Sequence, residues 1–508
     1  MLTLYWSFLS KHHFFTIIRI YHLFFIILMR IIIEVPVGYT NFKQTGSGIM
    51  YQIDFKKPVH IYFVGIGGIS MSGLAEVLFE AGFKVSGSDR QPSALTKALE
   101  EKGITVFYGQ KKQNITQDID CAVFTSAIHP DNPEYIAVQE LNIPSLTRAE
   151  LLGQMMKNYD TPIAISGTHG KTTTTSMVSE ILLGANLDPT LSVGGILKSI
   201  GGNIRVGHSG YFVTEACEYT NSFLSFFPKI GLILNIEEDH LDFFKDLDDI
   251  RASFRRFAEL LPADGALIMN GAIENLAELT EGLSCKVLTF GLNGNCDYYA
   301  SDITYNENGC PTFIFHAPGN HTLSVSLTVH GEHNVLNACA SLALADILRI
   351  PLSVAAEALN GFGGTDRRFE YKGSIGGVTI IDDYAHHPTE ITATLQAAAA
   401  CPHKTVWCVF QPHTYTRTKA FMKEFAQALS LADKVVLAEI YASRETDTLG
   451  ISSQNLMEEL KKLGSDCYYF PTFDEIENFL LQNCINGDLL ITMGAGDVVK
   501  IGEKLLGK

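Results

Sequence analysis

Short, wholly apolar runs bounded by turn residues alternate along this chain with longer mixed stretches, a pattern of buried strands between helices. The run Val59 to Val64 predicts a strand, followed by a glycine turn, a helix over Met71 to Ala81 and a strand over Lys84 to Ser88 that ends at Asp89. Further strands are predicted at Ala122 to Thr125 and Ile163 to Ile165, the second opening into a helix through Met177 to Leu183. Strands at Tyr211 to Val213 and Ile230 to Leu234 extend this second region, and glycine-rich Asn360 to Thr365 reads as a linker. Beyond it lie strands at Val378 to Ile381, Val406 to Phe410, Lys434 to Leu437 and Leu489 to Thr492. Strand and helix in alternation imply parallel sheets covered by helices on both faces. The expectation is an α/β protein of three units, 50–160, 161–363 and 364–508.

The length of 508 residues also calls for several cores, and 46% apolar with 18% charged residues fits a folded protein. A net charge of −17 argues against a nucleic-acid partner. Ten cysteines without a CxxC pair indicate free thiols in a reducing cytoplasm, so a cytoplasmic enzyme is expected. Residues 1–49 differ from the rest: they carry a net +3, and Phe14 to Ile33 is apolar apart from Arg19, His22 and Arg30. Two readings stand, a membrane anchor and a start assigned upstream of the true one at Met50. The second is preferred, and membrane contact is expected only if the extension is real. An internal Arg opposes a membrane span.

Ser166-Gly167-Thr168-His169-Gly170-Lys171-Thr172-Thr173 follows an apolar strand and opens a helix. Glycines let backbone N–H groups turn onto phosphate oxygens, the helix N-terminus adds positive charge, Lys171 can reach the β/γ-phosphates and Thr172 can offer a hydroxyl to Mg²⁺. Ile165 stands where the common eight-residue pattern has its first glycine, so this is a shortened loop. Metal-binding acids are sought at the ends of neighbouring strands, where Glu215 and Glu218, and then Glu237, Glu238, Asp239 and His240, occur. Any one of these alone reads equally as a solvated turn residue. Gly65-x-Gly67-x-x-Ser70, with Asp89 after the next strand, is similar to a dinucleotide fingerprint that lacks its third glycine.

The chain resembles the Mur ligases across nearly all of residues 50–508. The resemblance is carried by Gly65 to Gly73, Gly167 to Thr175, Glu215 to Tyr219, Asn235 to Asp242, His333 to Asn337, Arg367 to Glu370, Asp382 to Glu390, Gln411 to His413 with Tyr415 and Arg417, and Gly494 to Asp497. It implies a Rossmann-like N-terminal domain for a UDP-sugar, a central P-loop ATPase domain and a Rossmann-like C-terminal domain for an amino acid. It also implies ATP and two Mg²⁺ ions, with Thr172, Glu215 and His240 as metal ligands. Gly167 to Thr173, Asn334, Asn337, Arg367 and Asp382 would hold the nucleotide. Gly65, Gly67, Gly68, Ile69, Ser70 and Asp89 would hold the UDP-sugar. Tyr384, His386 and Arg417 would hold the amino acid, with Lys171, His240, His386 and Arg417 nearest the chemistry. The implied reaction joins L-alanine to the lactyl carboxylate of UDP-N-acetylmuramate.

Several relatives carry a carbamylated lysine fourteen residues after the position of His240; here Phe254 stands there. Alternatives are a ligase that adds a whole tripeptide to the same sugar, a folylpolyglutamate synthase, an NAD-dependent oxidoreductase and a non-catalytic nucleotide-binding module. The last two leave the Lys171 loop or the Asp382 to Glu390 cluster unexplained.

Overall fold

The computed structural model describes residues 50–125, 128–443 and 445–508, and the reading of residues 1–49 lies outside them. Three sheets follow one another along the chain. The first is wholly parallel, in the order Thr105–Tyr108, Lys84–Asp89, His60–Val64, Cys121–Phe124, Ser145–Thr147. His60–Val64 is buried at every position, as a strand between two helical layers must be. Strand order reverses beside this strand, and the Gly65 turn sits at the reversal, where open α/β sheets take their ligands.

The second sheet has ten strands, with the phosphate-loop strand Thr161–Ser166 between Ile230–Ile233 and Tyr211–Ala216, all parallel. Helices Lys171–Gly184 and Glu332–Ile347 pack on it. Ala338, Ala340, Ala343 and Ala345 are buried on the second helix, and such small side chains permit close approach. Antiparallel strands Tyr298–Tyr305, Pro311–Ala317 and His321–Ser326 extend one edge. The third sheet is parallel in Val378–Asp383, Leu489–Met493, Val406–Phe410, Lys434–Leu437 and Asp466–Tyr469, with Glu370–Ile375 antiparallel at its edge.

The stretch read as a linker is packed down. Helix Leu352–Gly361 takes its first residues, Phe362 is buried, and Thr365 Oγ1 donates to Ser176 Oγ at 3.0 Å. All ten cysteines are free. Among the described residues, no helix is long and apolar enough to cross a membrane.

Candidate active site

The phosphate loop is set by hydrogen bonds from its neighbouring strand. Ser166 Oγ donates to Leu232 O at 2.6 Å. Asn235 at the end of that strand treats His169 as a strand partner would, accepting from its N–H at 2.7 Å and donating to its carbonyl at 3.1 Å. Thr168 Oγ1 accepts from Glu237 N at 2.9 Å. Gly170 has φ 83°, and a Cβ there would stand 2.7 Å from Asn337 Oδ1, so the turn needs glycine for both conformation and space. The helix begins at Lys171, with its first N–H groups facing the loop.

Lys171 curls back over this loop. Its ammonium donates to Gly167 O, to Thr168 O at 3.0 Å and to Glu218 Oε2 at 3.0 Å. Burial opposes its charge, yet buried Glu218 beside it keeps the pKa above the usual lysine range. On the far side of Glu218, His240 Nε2 lies 3.9 Å from Oε1. His240 adopts φ 53° and stacks on Tyr219 with ring centroids 4.4 Å apart. Burial pushes its pKa down, which leaves the neutral ring that metal ligation needs.

Glu215 lies within strand Tyr211–Ala216, which runs on past the predicted end. Its carboxylate accepts from Gly194 N, and a Cβ on Gly194 would stand 2.5 Å from both carboxylate oxygens. A Cβ on Gly195 would lie 3.1 Å from Thr172 Cγ2, so one glycine pair adjoins both residues. The Thr172 hydroxyl, the Glu215 and Glu218 carboxylates and the His240 imidazole are donor types that a divalent cation accepts, and Glu218 and His240 stand side by side. Phe254 is no part of it: fully buried, it packs edge-on against Phe223 at 5.4 Å.

A cavity of about 270 Å³ opens beside the loop. His169, Gly170 and Thr173 line one side, Asn270, Phe290, Asn334 and Asn337 another, and Arg368, Asp383 and Glu390 close it from the C-terminal region. The two asparagines share a hydrogen bond, Asn337 Nδ2 to Asn334 Oδ1 at 3.0 Å. A second cavity of about 360 Å³ is lined by Tyr219, Asp239, His240, His413 and Arg417, among others.

Between the cavities, charged contacts join the central and C-terminal regions. Asp239 Oδ1 accepts from Arg417 Nε at 3.1 Å and Nη2 at 2.8 Å. Burial opposes the Asp239 charge, but Arg417 and His240 hold its pKa well below the usual carboxylate range. His169 Nδ1 meets Glu390 Oε1 at 3.1 Å, and its Nε2 stands 3.5 Å from Glu237 Oε2. Burial disfavours a charged ring there, yet the two carboxylates outweigh it and raise the His169 pKa to about 9. Glu390 Oε2 in turn accepts from His386 N at 3.0 Å. His169, Glu237 and His387 lie close enough to hold a metal; His387 Nε2 also contacts Glu238 O at 3.0 Å, and with its ring protonated His169 makes ion pairs with Glu237 and Glu390. Burial pushes His386 down to about 4, which makes it neutral and a weak proton acceptor near pH 7.

Four predicted residues are engaged otherwise than expected. Arg367 does not reach the cavity: its Nε donates to Asp382 at 2.9 Å and Nη2 to Gly494 O at 2.7 Å, while Arg368 lines the cavity. Asp382, buried between Arg367 and Thr492, yields its predicted place to Asp383. Tyr384 lies beneath both guanidinium groups, 4.8 Å and 5.3 Å from its ring. Asp89 braces the glycine turn, accepting from Gly67 N at 2.8 Å and Arg90 N at 2.7 Å. Gly65 (φ 84°), Gly68 and Ile69 form the rest of that turn, with Gly68 capping helix Ile69–Glu80, and Ser70 stands in its first turn.

Residues 60–160 match the family described as Mur ligase, catalytic domain; 165–345 match the Mur ligase middle domain and 367–496 the Mur ligase glutamate ligase domain. The chain belongs to the Mur ligase family. Relatives of this Mur ligase include a UDP-N-acetylmuramate–L-alanine ligase of Agathobacter rectalis, 59% identical over 90% of this chain and all of the relative. One of the same name from Lachnospira eligens is 60% identical over the same shares. The solved structure of UDP-N-acetylmuramate-alanine ligase from Thermotoga maritima shares 31% identity over 88% of this chain and 98% of its own, with a TM-score of 0.74. A murein peptide ligase from Psychrobacter arcticus shares 25% over the same shares, with a TM-score of 0.68.

Sequence reasoning gave no role to Asn235 or Arg148 in this Mur ligase, and read Arg368 together with Arg367 as a phosphate brace. Asn235 and Arg368 lie inside motifs that carried the resemblance, so position beside the loop was a usable signal. Arg148 lies outside all of them.

Proposed function

We propose that this Mur ligase joins L-alanine to the lactyl carboxylate of UDP-N-acetylmuramate, with cleavage of ATP to ADP and phosphate. The observation that carries the reading is the meeting of the phosphate loop, the Lys171–Glu218–His240 cluster and Arg417 at one junction between two cavities. The names borne by relatives at 59% and 60% identity support it.

In the reading, the 270 Å³ cavity takes the nucleoside, with Asn334 and Asn337 facing the base and Arg368 near the phosphates. A lactyl carboxylate oxygen attacks the γ-phosphorus in line, the bond to the β-phosphate oxygen breaks and ADP leaves. The neutral amine of alanine then attacks the acyl carbon, the carbon–oxygen bond to phosphate breaks, and the proton shed by the amine nitrogen leaves with the phosphate. Lys171 rotates from Glu218 to the phosphates and offsets the repulsion between two anions. Mg²⁺ ions, two of them in this reading, neutralise phosphate charge when bound, and Thr172, Glu215, Glu218 and His240 would hold them. Arg417, aimed by Asp239, suits the alanine carboxylate. In this reading Tyr384 and His386 take the amino-acid side, supported by the ring contacts of His386 with Tyr384 and His413. The Gly65 to Ser70 turn receives the UDP-sugar. These substrates and the free thiols fit a reducing, cytoplasmic setting.

The test is phosphate release from ATP with UDP-N-acetylmuramate and a panel of amino acids and peptides. Turnover with L-alanine supports the reading. Turnover with tripeptide alone transfers it to the peptide ligase, and none with either refutes both.

A further inference from the structure

Arg148 opens helix Arg148–Met156, directly after the last strand of the first sheet, and so stands at the carboxyl edge where that sheet takes ligands. Its Nη1 donates to Ser70 Oγ at 3.2 Å, in the first turn of the helix that follows the glycine turn. Among the described residues no carboxylate pairs with it at ion-pair distance; Glu215 acts on it only through space, and its own carboxylate is taken up by Gly194 N. Arg148 is partly buried, and that burial lowers its pKa. A partly buried cation with no carboxylate at ion-pair distance gains from an anionic ligand that brings its own oxygens.

Resting on the ligase reading, we propose that Arg148 binds an anionic oxygen group of the UDP-sugar where that substrate passes from the glycine turn towards Glu215. The group is phosphate or carboxylate; both accept two parallel N–H bonds from a guanidinium, which an ammonium cannot supply. Ser70 holds the guanidinium in place by its neutral hydroxyl and leaves the remaining donors for the ligand. This assigns the residue a part in substrate binding distinct from the phosphate loop, which serves ATP.

The experiment compares wild type with Arg148→Met, which keeps the length of the side chain, and Arg148→Lys, which keeps the charge. Steady-state constants for all three substrates are measured, with thermal midpoints as a check on folding. Arg148→Met should raise KM for UDP-N-acetylmuramate about ten- to a hundredfold, as for loss of charged hydrogen bonds, with KM for ATP unchanged. Arg148→Lys should recover part of that loss. UDP-N-acetylglucosamine, which lacks the lactyl carboxylate, serves as a competitive probe. A parallel loss of its affinity assigns the diphosphate to Arg148, and an unchanged affinity assigns the carboxylate. A folded Arg148→Met, or Arg148→Lys should the first fail to fold, with wild-type KM for the UDP-sugar overturns the proposal. Wild type without alanine-dependent turnover would instead sink the ligase reading itself.

Discussion

Lys171 spends its hydrogen bonds on Gly167 O, Thr168 O and Glu218, so its charge is already committed to the place where phosphates are expected. Lys171→Ala is predicted to abolish ADP formation, a loss of at least several orders of magnitude, while affinity for the UDP-sugar, measured by calorimetry, stays near wild type. A matching loss of UDP-sugar affinity would contradict the separation of the two sites. The lysine was legible because Gly-Lys-Thr between a strand and a helix has few other uses. Arg367 and Arg368 were read alike as a phosphate brace and could not be told apart, because Arg367 takes a left-handed backbone (φ 61°), and one such residue redirects its neighbours. Asp382 and Asp383 failed for a simpler reason. Successive residues on a strand face opposite ways, and nothing in a wholly buried strand end marks which acid faces the cavity.

At the level of elements, the phosphate loop is held by the strand beside it more than by its own residues. Asn235→Ala strips His169 of two hydrogen bonds at once and leaves backbone groups unpaired, so stability should fall by about 1–3 kcal/mol, read from denaturant unfolding, and KM for ATP should rise. An unchanged midpoint together with an unchanged KM would show that the loop holds its own shape. The strands predicted in each sheet lie within a few residues of those observed, because burial on both faces makes them apolar, but the parallel strands Ala266–Asn270 and Lys286–Gly291 of the second sheet went unread. The antiparallel edge was missed: Pro311–Ala317 alternates buried and half-buried positions, and its polar half breaks up the apolar run. The supposed linker misled through glycine content alone, since Phe362 between its glycines and Thr365 after them are the anchors.

Across the whole molecule, the clamp of His169 with Glu237 and Glu390 joins two regions whose junction forms the nucleotide cavity. With a folded pKa of about 9 against an unfolded value near 6.5, its contribution is complete below pH 6.5 and is lost as pH rises to about 9. Thermal midpoints should therefore decline across that window, and His169→Gln should flatten the decline; equal slopes in the two proteins would remove the clamp from the account. The same carboxylate of Glu390 reaches His386 N, so loosening the clamp at high pH should also weaken the amino-acid side, visible as a rising KM for alanine. Phe254, locked between Phe223 and the buried face of its helix, fills the position from which some relatives raise a lysine that must first capture carbon dioxide. An enzyme without that lysine has no such step to wait for. Its rate should be the same in degassed buffer and in bicarbonate, so its output should not follow the carbon dioxide level around the cell.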